Sequence, residues 1–465
     1  MSRKGGVLSG GFQPLKAPNA PTIDSVSAGI LSADVTVSAP ANTGDGTVSG
    51  YVVTAKQSDG SLATGTASSA GAVSVTLTAG GTTEFAAQAF SEYGPGQFSG
   101  FGNSTSVPSG QELYAWGSGS SGRTGLNTTV NTSSPTQVGS LTTWAQVSAR
   151  SSSSIAIKAD GTLWAWGAGT VGQLGNDSGI NVSSPIQVGS LTNWSQVSMW
   201  GHCVAIKTDG TLWSWGSSQF GQLGHNNAIS RSSPVQVGAL TTWSQASAGS
   251  GHTAAVKTDG TLWTWGNAAS GRLGDNNLVA RSSPIQIGAL TNWIQVSCGS
   301  IHTTAVKTDG TMWSWGANGN GQLGLNISYL INRSSPVQIG ALTTWAQVSG
   351  GFVENGAIKT DGTMWSWGSS QFGQLGHNDT VDRSSPVQVG ALTTWSQVST
   401  SGSHMAAIKT DGTLWTWGNN GAGQLGQNLP TITDRSSPVQ VGALTTWYQV
   451  SAGNASTAAI DQSFT

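Results

Sequence analysis

Four histidines and one glutamate recur at one place in a repeated sequence. His202, His252, His302, Glu354 and His404 each stand five residues before a lysine, with Ser153 and Ser456 at the matching places in the outermost copies. His and Glu are metal-ligand types, and a shared zinc would need each His nitrogen at about 2.0–2.1 Å. Equivalent positions of successive repeat units are related by rotation about a central channel, too widely spaced to reach one ion. The expectation is no metal centre, each histidine serving a turn hydrogen bond of its own unit.

Six aspartates, Asp160, Asp209, Asp259, Asp309, Asp361 and Asp411, occupy a recurring Lys-Thr-Asp-Gly-Thr string or its Lys-Ala variant. Carboxylates that hydrolyse a glycosidic bond must lie within about 10 Å of each other, and one acid per unit does not converge. Asp45 and Asp59 are isolated in other loops. No Gly-x-Ser-x-Gly, P-loop, calcium-loop or His-Glu-x-x-His string occurs. Cys203 and Cys298 lack Cys-x-x-Cys spacing, so they read as two buried free thiols. No catalytic residue, metal or cofactor is expected, and the chain reads as a non-enzyme.

Residues 257–266, KTDGTLWTWG, return with at most two changes at 158, 207, 307, 359 and 409. Two tryptophans one residue apart share a face of a strand. They could form a sugar platform, but six or seven equivalent pairs suit a packing unit better. A buried Trp removes about 150–250 Å² of surface, worth roughly 4–6 kcal/mol before entropy at about 25 cal/mol per Å². Trp200 stands outside this register, in Met199-Trp200-Gly201, and is expected to be exposed.

The elements that carry these residues follow from the period. Trp116, Trp166, Trp215, Trp265, Trp315, Trp367 and Trp417 recur at intervals of 49 to 52 residues, the mark of a repeat architecture. The runs at 234–237, 243–247, 253–257 and 262–265 are rich in strand formers and bounded by turn residues. Asp259-Gly260 predicts a two-residue primed hairpin turn, because Gly accepts positive φ. The array starts at Glu112-Leu113-Tyr114-Ala115-Trp116-Gly117 without a preceding Lys-Thr-Asp-Gly strand. It stops at Thr457-Ala458-Ala459-Ile460-Asp461 without a following Trp-x-Trp strand. The two halves complement each other, so the expected fold is all-β: a seven-bladed β-propeller closed by pairing of chain ends, spanning 109–465.

Cys298-Gly-Ser-Ile-His302 followed by Thr303 to Gly316, with Gly-Gln-Leu-Gly and Ser-Ser-Pro landmarks, resembles the regulator of chromosome condensation family from about 112 to 461. The resemblance implies a propeller. Family members act as nucleotide exchange factors, enzyme inhibitors and interaction platforms, so the fold does not choose among functions.

Residues 17–108 contain no Trp but carry period-two stretches such as Val73-Ser-Val-Thr-Leu-Thr78, separated by turn residues. They predict a small β-sandwich. The strings Ala39 to Tyr51 and Ala89 to Gly96 resemble a fibronectin type III module, departing from it at Val37, where that family buries a Trp, and near Thr83, where a corner Tyr is missing. Residues 1–16 read as a Gly-rich leader or anchor.

Only 8% of the 465 residues are charged, against roughly 25% in ordinary soluble domains. The net charge is -2, which lacks the clustered basic residues that nucleic acid or an anionic membrane face requires. No secretory signal and no apolar run near 18 residues is present, so no nucleic-acid partner and no membrane insertion are expected. What varies between copies is the loop after Trp-Gly, as in SSQFGQLGHNNAISR (217–231), ANGNGQLGLNISYLINR (317–333) and NNGAGQLGQNLPTITDR (419–435). Such loops carry either binding or neutral drift. The candidate contact residues are Trp200, Phe220, His225, Tyr329, Phe372 and His377.

The combination resembles modular appendages of bacteriophage particles. It implies a non-enzymatic virion or extracellular structural protein, made in the cytoplasm without a signal peptide. Residues 1–108 would dock to other virion proteins of capsid or tail, in many copies or as a homo-oligomer. The propeller loops would meet a host surface protein or glycan. A bacterial adhesin or an inhibitor is the alternative, and a GTPase exchange factor a further one.

Overall fold

The computed structural model describes residues 16–29, 32–77, 81–107, 110–428 and 433–463. The leader assigned to 1–16 lies outside the described residues up to position 15, as do residues 429–432 of the last variable loop. Among the described residues the regular structure is strand, apart from two short 3-10 turns at Ser120–Gly122 and Ala269–Gly271. Among the described residues two compact units emerge, one of the residues up to Gly110 together with Ser463 and one of Gln111–Gln462.

In the first unit, Thr22–Gly29, Ser32–Ser38 and Gly71–Thr76 make one sheet. Leu62–Ala67, Val48–Lys56, Gly81–Ser91 and Gly94–Phe98 make another, with Gly102–Val107 also paired to Gly81–Ser91. Alternation along each strand sends every second side chain inward. Val35, Val37, Val73 and Val75 of the first sheet share one buried cluster with Tyr51, Val53, Phe85 and Ala87 of the second. Two β-sheets therefore pack on a common apolar core.

In the second unit the repeats form seven four-stranded antiparallel sheets. One sheet runs, in order, Trp243–Ala248, His252–Lys257, Leu262–Gly266 and Arg281–Gln286. The last strand of each sheet begins earlier than expected, Arg231 rather than Pro234 in the preceding one. Pro234 is tolerated because this strand lies at a sheet edge, where its missing N–H breaks no ladder bond. Another sheet combines distant stretches: Thr132–Gln137 and Gly110–Gly117 lie beside Ser456–Ser463 and Trp447–Ala452.

Apolar seams join neighbouring sheets. Val204, Ile206 and Leu212 of one sheet are buried with Trp243, Ala246 and Trp265 of the next. Polar latches repeat beside the seams. In the Trp-x-Gln-x-Ser strand, the Gln side-chain oxygen accepts a backbone N–H from the first strand of the following sheet, from Gln146 to Val197 (2.8 Å) onward, seven times in all. The Ser hydroxyl accepts a second N–H two residues further along, again seven times. The last of each set runs from Gln449 to Val147 and from Ser451 to Ala149. A buried latch of this kind contributes about 1 kcal/mol and aligns one strand on the next.

The Lys-Thr-Asp-Gly-Thr tips correct one expectation. Gly260 N–H donates to the Lys257 carbonyl and Lys257 N–H to the Thr261 carbonyl, so the loop is Thr258-Asp259-Gly260, three residues rather than two. Only Gly260 has positive φ (+75°), which matches a type I turn closed by a glycine bulge. The aspartate favours this form because its side chain accepts both the N–H (2.9 Å) and the hydroxyl (2.7 Å) of Thr261. Thr261 Oγ1 in turn accepts the indole N–H of Trp263 at 2.9 Å. A Cβ on Gly260 would stand 2.1 Å from the Thr291 carbonyl oxygen.

Candidate functional site

The tryptophan pair is part of a triad. Trp243 meets Trp263 and Trp265 edge-on, with ring centroids 6.1 Å away in both cases. Trp265 is fully buried and donates to the Gln222 carbonyl of the preceding sheet at 2.8 Å. Trp263 is half-buried, and the Lys257 ammonium stands 3.7 Å from its ring centroid. A cation held over an aromatic face is stabilised by the ring quadrupole. That face of the indole is occupied by the chain's own lysine, which argues for packing rather than a sugar platform.

The histidines are also placed differently from the expectation. They bond between sheets rather than within a turn of their own unit. His202 Nε2 lies 2.7 Å from Thr253 Oγ1 of the next sheet, and that hydroxyl donates onward to the Gln222 carbonyl. His252 meets Thr303, His302 meets Asn355 and His404 meets Thr457 in the same way. The threonine proton is committed onward, so each such histidine is the donor and carries its proton on Nε2. All four rings are buried, and burial pushes His202 and His404 down to about 3 and His302 to about 4. They are neutral partners in seams. Glu354, in the same position of its sheet, accepts the N–H groups of Phe352 (3.3 Å) and Val353 (3.1 Å), and burial raises it to about 7. Among the described residues no three His, Cys, Asp or Glu side chains gather as a metal-binding group. Cys203 and Cys298 are buried free thiols.

Antiparallel order puts the turn between the first two strands and the loop between the last two at the same end of every sheet. Trp200 belongs to one such turn. It is buried, 9% exposed, which overturns its reading as an exposed aromatic. Two residues from other sheets cover it. The Arg150 guanidinium stacks 5.2 Å from its ring centroid, and Phe352 lies 6.0 Å away on centroids. Arg150 also donates through Nη2 to the Gly350 carbonyl at 3.1 Å. The turns at 249–251, 299–301, 402–403 and 453–455 contain Gly, Ser, Asn, Ala and one Ile. Arg150, Trp200 and Phe352 are the large departures, a signal present in the repeat register though only Trp200 was singled out from it.

The other candidates do not converge. Phe220 and Tyr329 are 39% and 41% exposed, Phe372 is half-buried, and each belongs to the loop of a different sheet. His225 and His377 are half-buried, each with Nε2 3.0 Å from the hydroxyl of its own sheet, Ser214 and Ser366. His377 also lines a cavity of about 400 Å³ with Leu392, Trp395, Trp415 and Pro438. The feature shared by the loops is a different one. Val130, Ile180, Ile229, Leu278, Leu330 and Val381 are exposed, from 57% at Val381 to 91% at Leu330, so that each of six loops carries at least one exposed aliphatic.

Four-stranded repeats joined by such seams and latches define a propeller of the RCC1 type. Residues 200–463 match the RCC1-like domain, and 111–157 and 160–206 match the regulator of chromosome condensation (RCC1) repeat. The chain belongs to the RCC1-like domain family. No curated protein sequence matches it. Human WBSCR16 is similar in structure at 20% identity with a TM-score of 0.69, covering 76% of this chain and 100% of that one. Yeast RCC1 (Prp20), solved bound to Kap60, is similar at 17% identity and a TM-score of 0.68, over 77% and 90% of the two chains. Prp20p of Saccharomyces cerevisiae gives 18% and 0.68, over 77% and 92%. At these identities the likeness establishes the fold.

Proposed function

We propose that the chain is a non-catalytic protein-interaction scaffold of an extracellular or virion assembly. Its seven sheets act as the blades of one ring closed by pairing of the chain ends. The first unit, read as a fibronectin type III-like module, docks to the assembly, and the propeller is displayed in many copies. The observation that carries the interaction role is the rim of exposed aliphatics, at least one in each of six loops at the same end of the sheets. Exposed side chains borne by variable loops on a rigid scaffold are where binding is normally placed. The low charge and the Gly, Ser, Thr and Asn content support display outside a cell. One similar propeller, yeast Prp20, is a protein binder by description: it was solved bound to Kap60 and studied for binding to Gsp1p and histones.

Mass spectrometry of purified particles, with the chain carrying serine at all six rim positions beside the unaltered chain, tests this. Expected is incorporation of both chains, with attachment to the recognised surface lost only in the serine variant. A chain that diffuses as a free monomer and is absent from particles overturns the assembly role. Unchanged attachment by a folded serine variant overturns the rim.

A further inference from the structure

The first strands of the sheets line an open cavity of about 190 Å³, to which five of the seven latch glutamines and six of the seven latch serines contribute together with Arg150 and Cys298. Its polar groups are unevenly used. The glutamine oxygens are spent on the latches. Ser148, Ser198, Ser247 and Ser297 each accept a neighbour's N–H through the hydroxyl oxygen. A hydroxyl that accepts through its oxygen keeps a rotatable proton with which it can also donate.

Arg150 is the cation of this lining. Its Nη2 is held by the Gly350 carbonyl and its face by Trp200, whereas Nη1 is out of contact with solvent and has no protein acceptor. A buried guanidinium donor left without an acceptor is costly. The nearby Glu354 does not supply one: its oxygens are turned to the N–H groups of Phe352 and Val353. No ion pair joins it to Arg150 among the described residues.

We propose that this axial cavity is a binding site for one carboxylate, held by the Arg150 guanidinium and by hydroxyl donors of the lining serines. A carboxylate matches the planar fork of the guanidinium. Its single negative charge balances the single cation, where a phosphate dianion would leave an excess charge buried. The carboxylate comes on a free small acid or at the C-terminus of a partner chain. The site stands independently of the rim and of the assembly role.

Fluorine NMR of trifluoroacetate with the full chain at fixed ionic strength provides the test. Expected is saturable line broadening with one site per chain, weakened at least tenfold by Arg150→Gln and unchanged by Arg383→Gln, which alters an arginine at the start of strand Arg383–Gln388 paired with Asp379 of the preceding loop. Displacement by acetate and by a hexapeptide at similar concentrations assigns a free small acid. Displacement by the hexapeptide at tenfold lower concentration assigns a chain terminus. Absence of saturable broadening in the unaltered chain, or equal broadening in a folded Arg150→Gln variant, overturns the proposal. Should Arg150→Gln fail to fold, crystals of the unaltered chain grown with 3-bromopropionate replace it. Bromine anomalous signal in the cavity supports the site, and a cavity without it overturns the site.

Discussion

The side-chain oxygen of Gln449 accepts the backbone N–H of Val147 at 2.7 Å, across 302 residues of chain. It repeats the bond that Gln245 makes to Val296 at 2.9 Å, across 51 residues. One local motif therefore makes the same contact whether its partner is the next repeat or the far end of the array.

The proposed ring closure predicts that these two latches matter equally. Gln449→Ala and Gln245→Ala should each cost about 1–2 kcal/mol of stability, the value of a lost buried hydrogen bond. Deleting residues 456–463, which removes a whole strand of the composite sheet, should lower the melting temperature of the entire second unit. Urea unfolding that finds Gln449→Ala silent, or an unchanged melting temperature after the deletion, would favour an open array.

The tip chemistry separates substitutions at two adjacent residues, Gly260 and Thr261. Thr261→Val removes the link between Asp259 and the indole of Trp263 and should cost about 1–2 kcal/mol. Gly260→Ala meets both a positive φ and the Thr291 carbonyl at 2.1 Å, and should cost about 2–4 kcal/mol. Chemical denaturation that ranks them in the opposite order would contradict the turn assignment.

Trp200→Ala should destabilise the propeller by about 3 kcal/mol or more, as for a large buried side chain. Phe352→Ala, at a residue 46% exposed, should cost less. A neutral Trp200→Ala in thermal unfolding would return Trp200 to the surface.

Stability should rise with pH through the mildly acid range. His202, His302 and His404 are held at about 3 to 4 in the folded chain, and His252 is also held low by burial, against about 6.5 when unfolded. The unfolded chain binds the extra protons, so stability is lost as pH falls from about 6.5 towards 4. Glu354 opposes this. Held at about 7 when folded and about 4.3 when unfolded, it keeps a proton that the unfolded chain releases, so its contribution falls as pH rises between those values. Glu354→Gln should therefore show a steeper rise in stability from pH 4.5 to 7, by up to about 1.4 kcal/mol per pH unit. Urea midpoints with the same slope in both chains would refute the assignment.

Strand positions and repeat boundaries were legible because the signals are local. Alternation, Asp-Gly turns and the regular return of Trp-Gly are set within a few residues, and seven copies make each signal audible above chance. The tryptophan triad, by contrast, joins Trp243 to Trp263 and Trp265 across two strands, and its third member was not apparent from the pair. Trp200 was misplaced because its exposure depends on Arg150 and Phe352, residues 50 and 152 positions away.

The sequence by itself determined an all-β repeat with a β-rich unit before it, since hydrophobic periodicity and turn chemistry follow from neighbouring residues. Only the tertiary structure decided what the histidines bond, which aromatics are buried and where Arg150 points. Those outcomes depend on which sheets stand side by side, and a side chain's burial and protonation are set by partners brought from elsewhere in the chain.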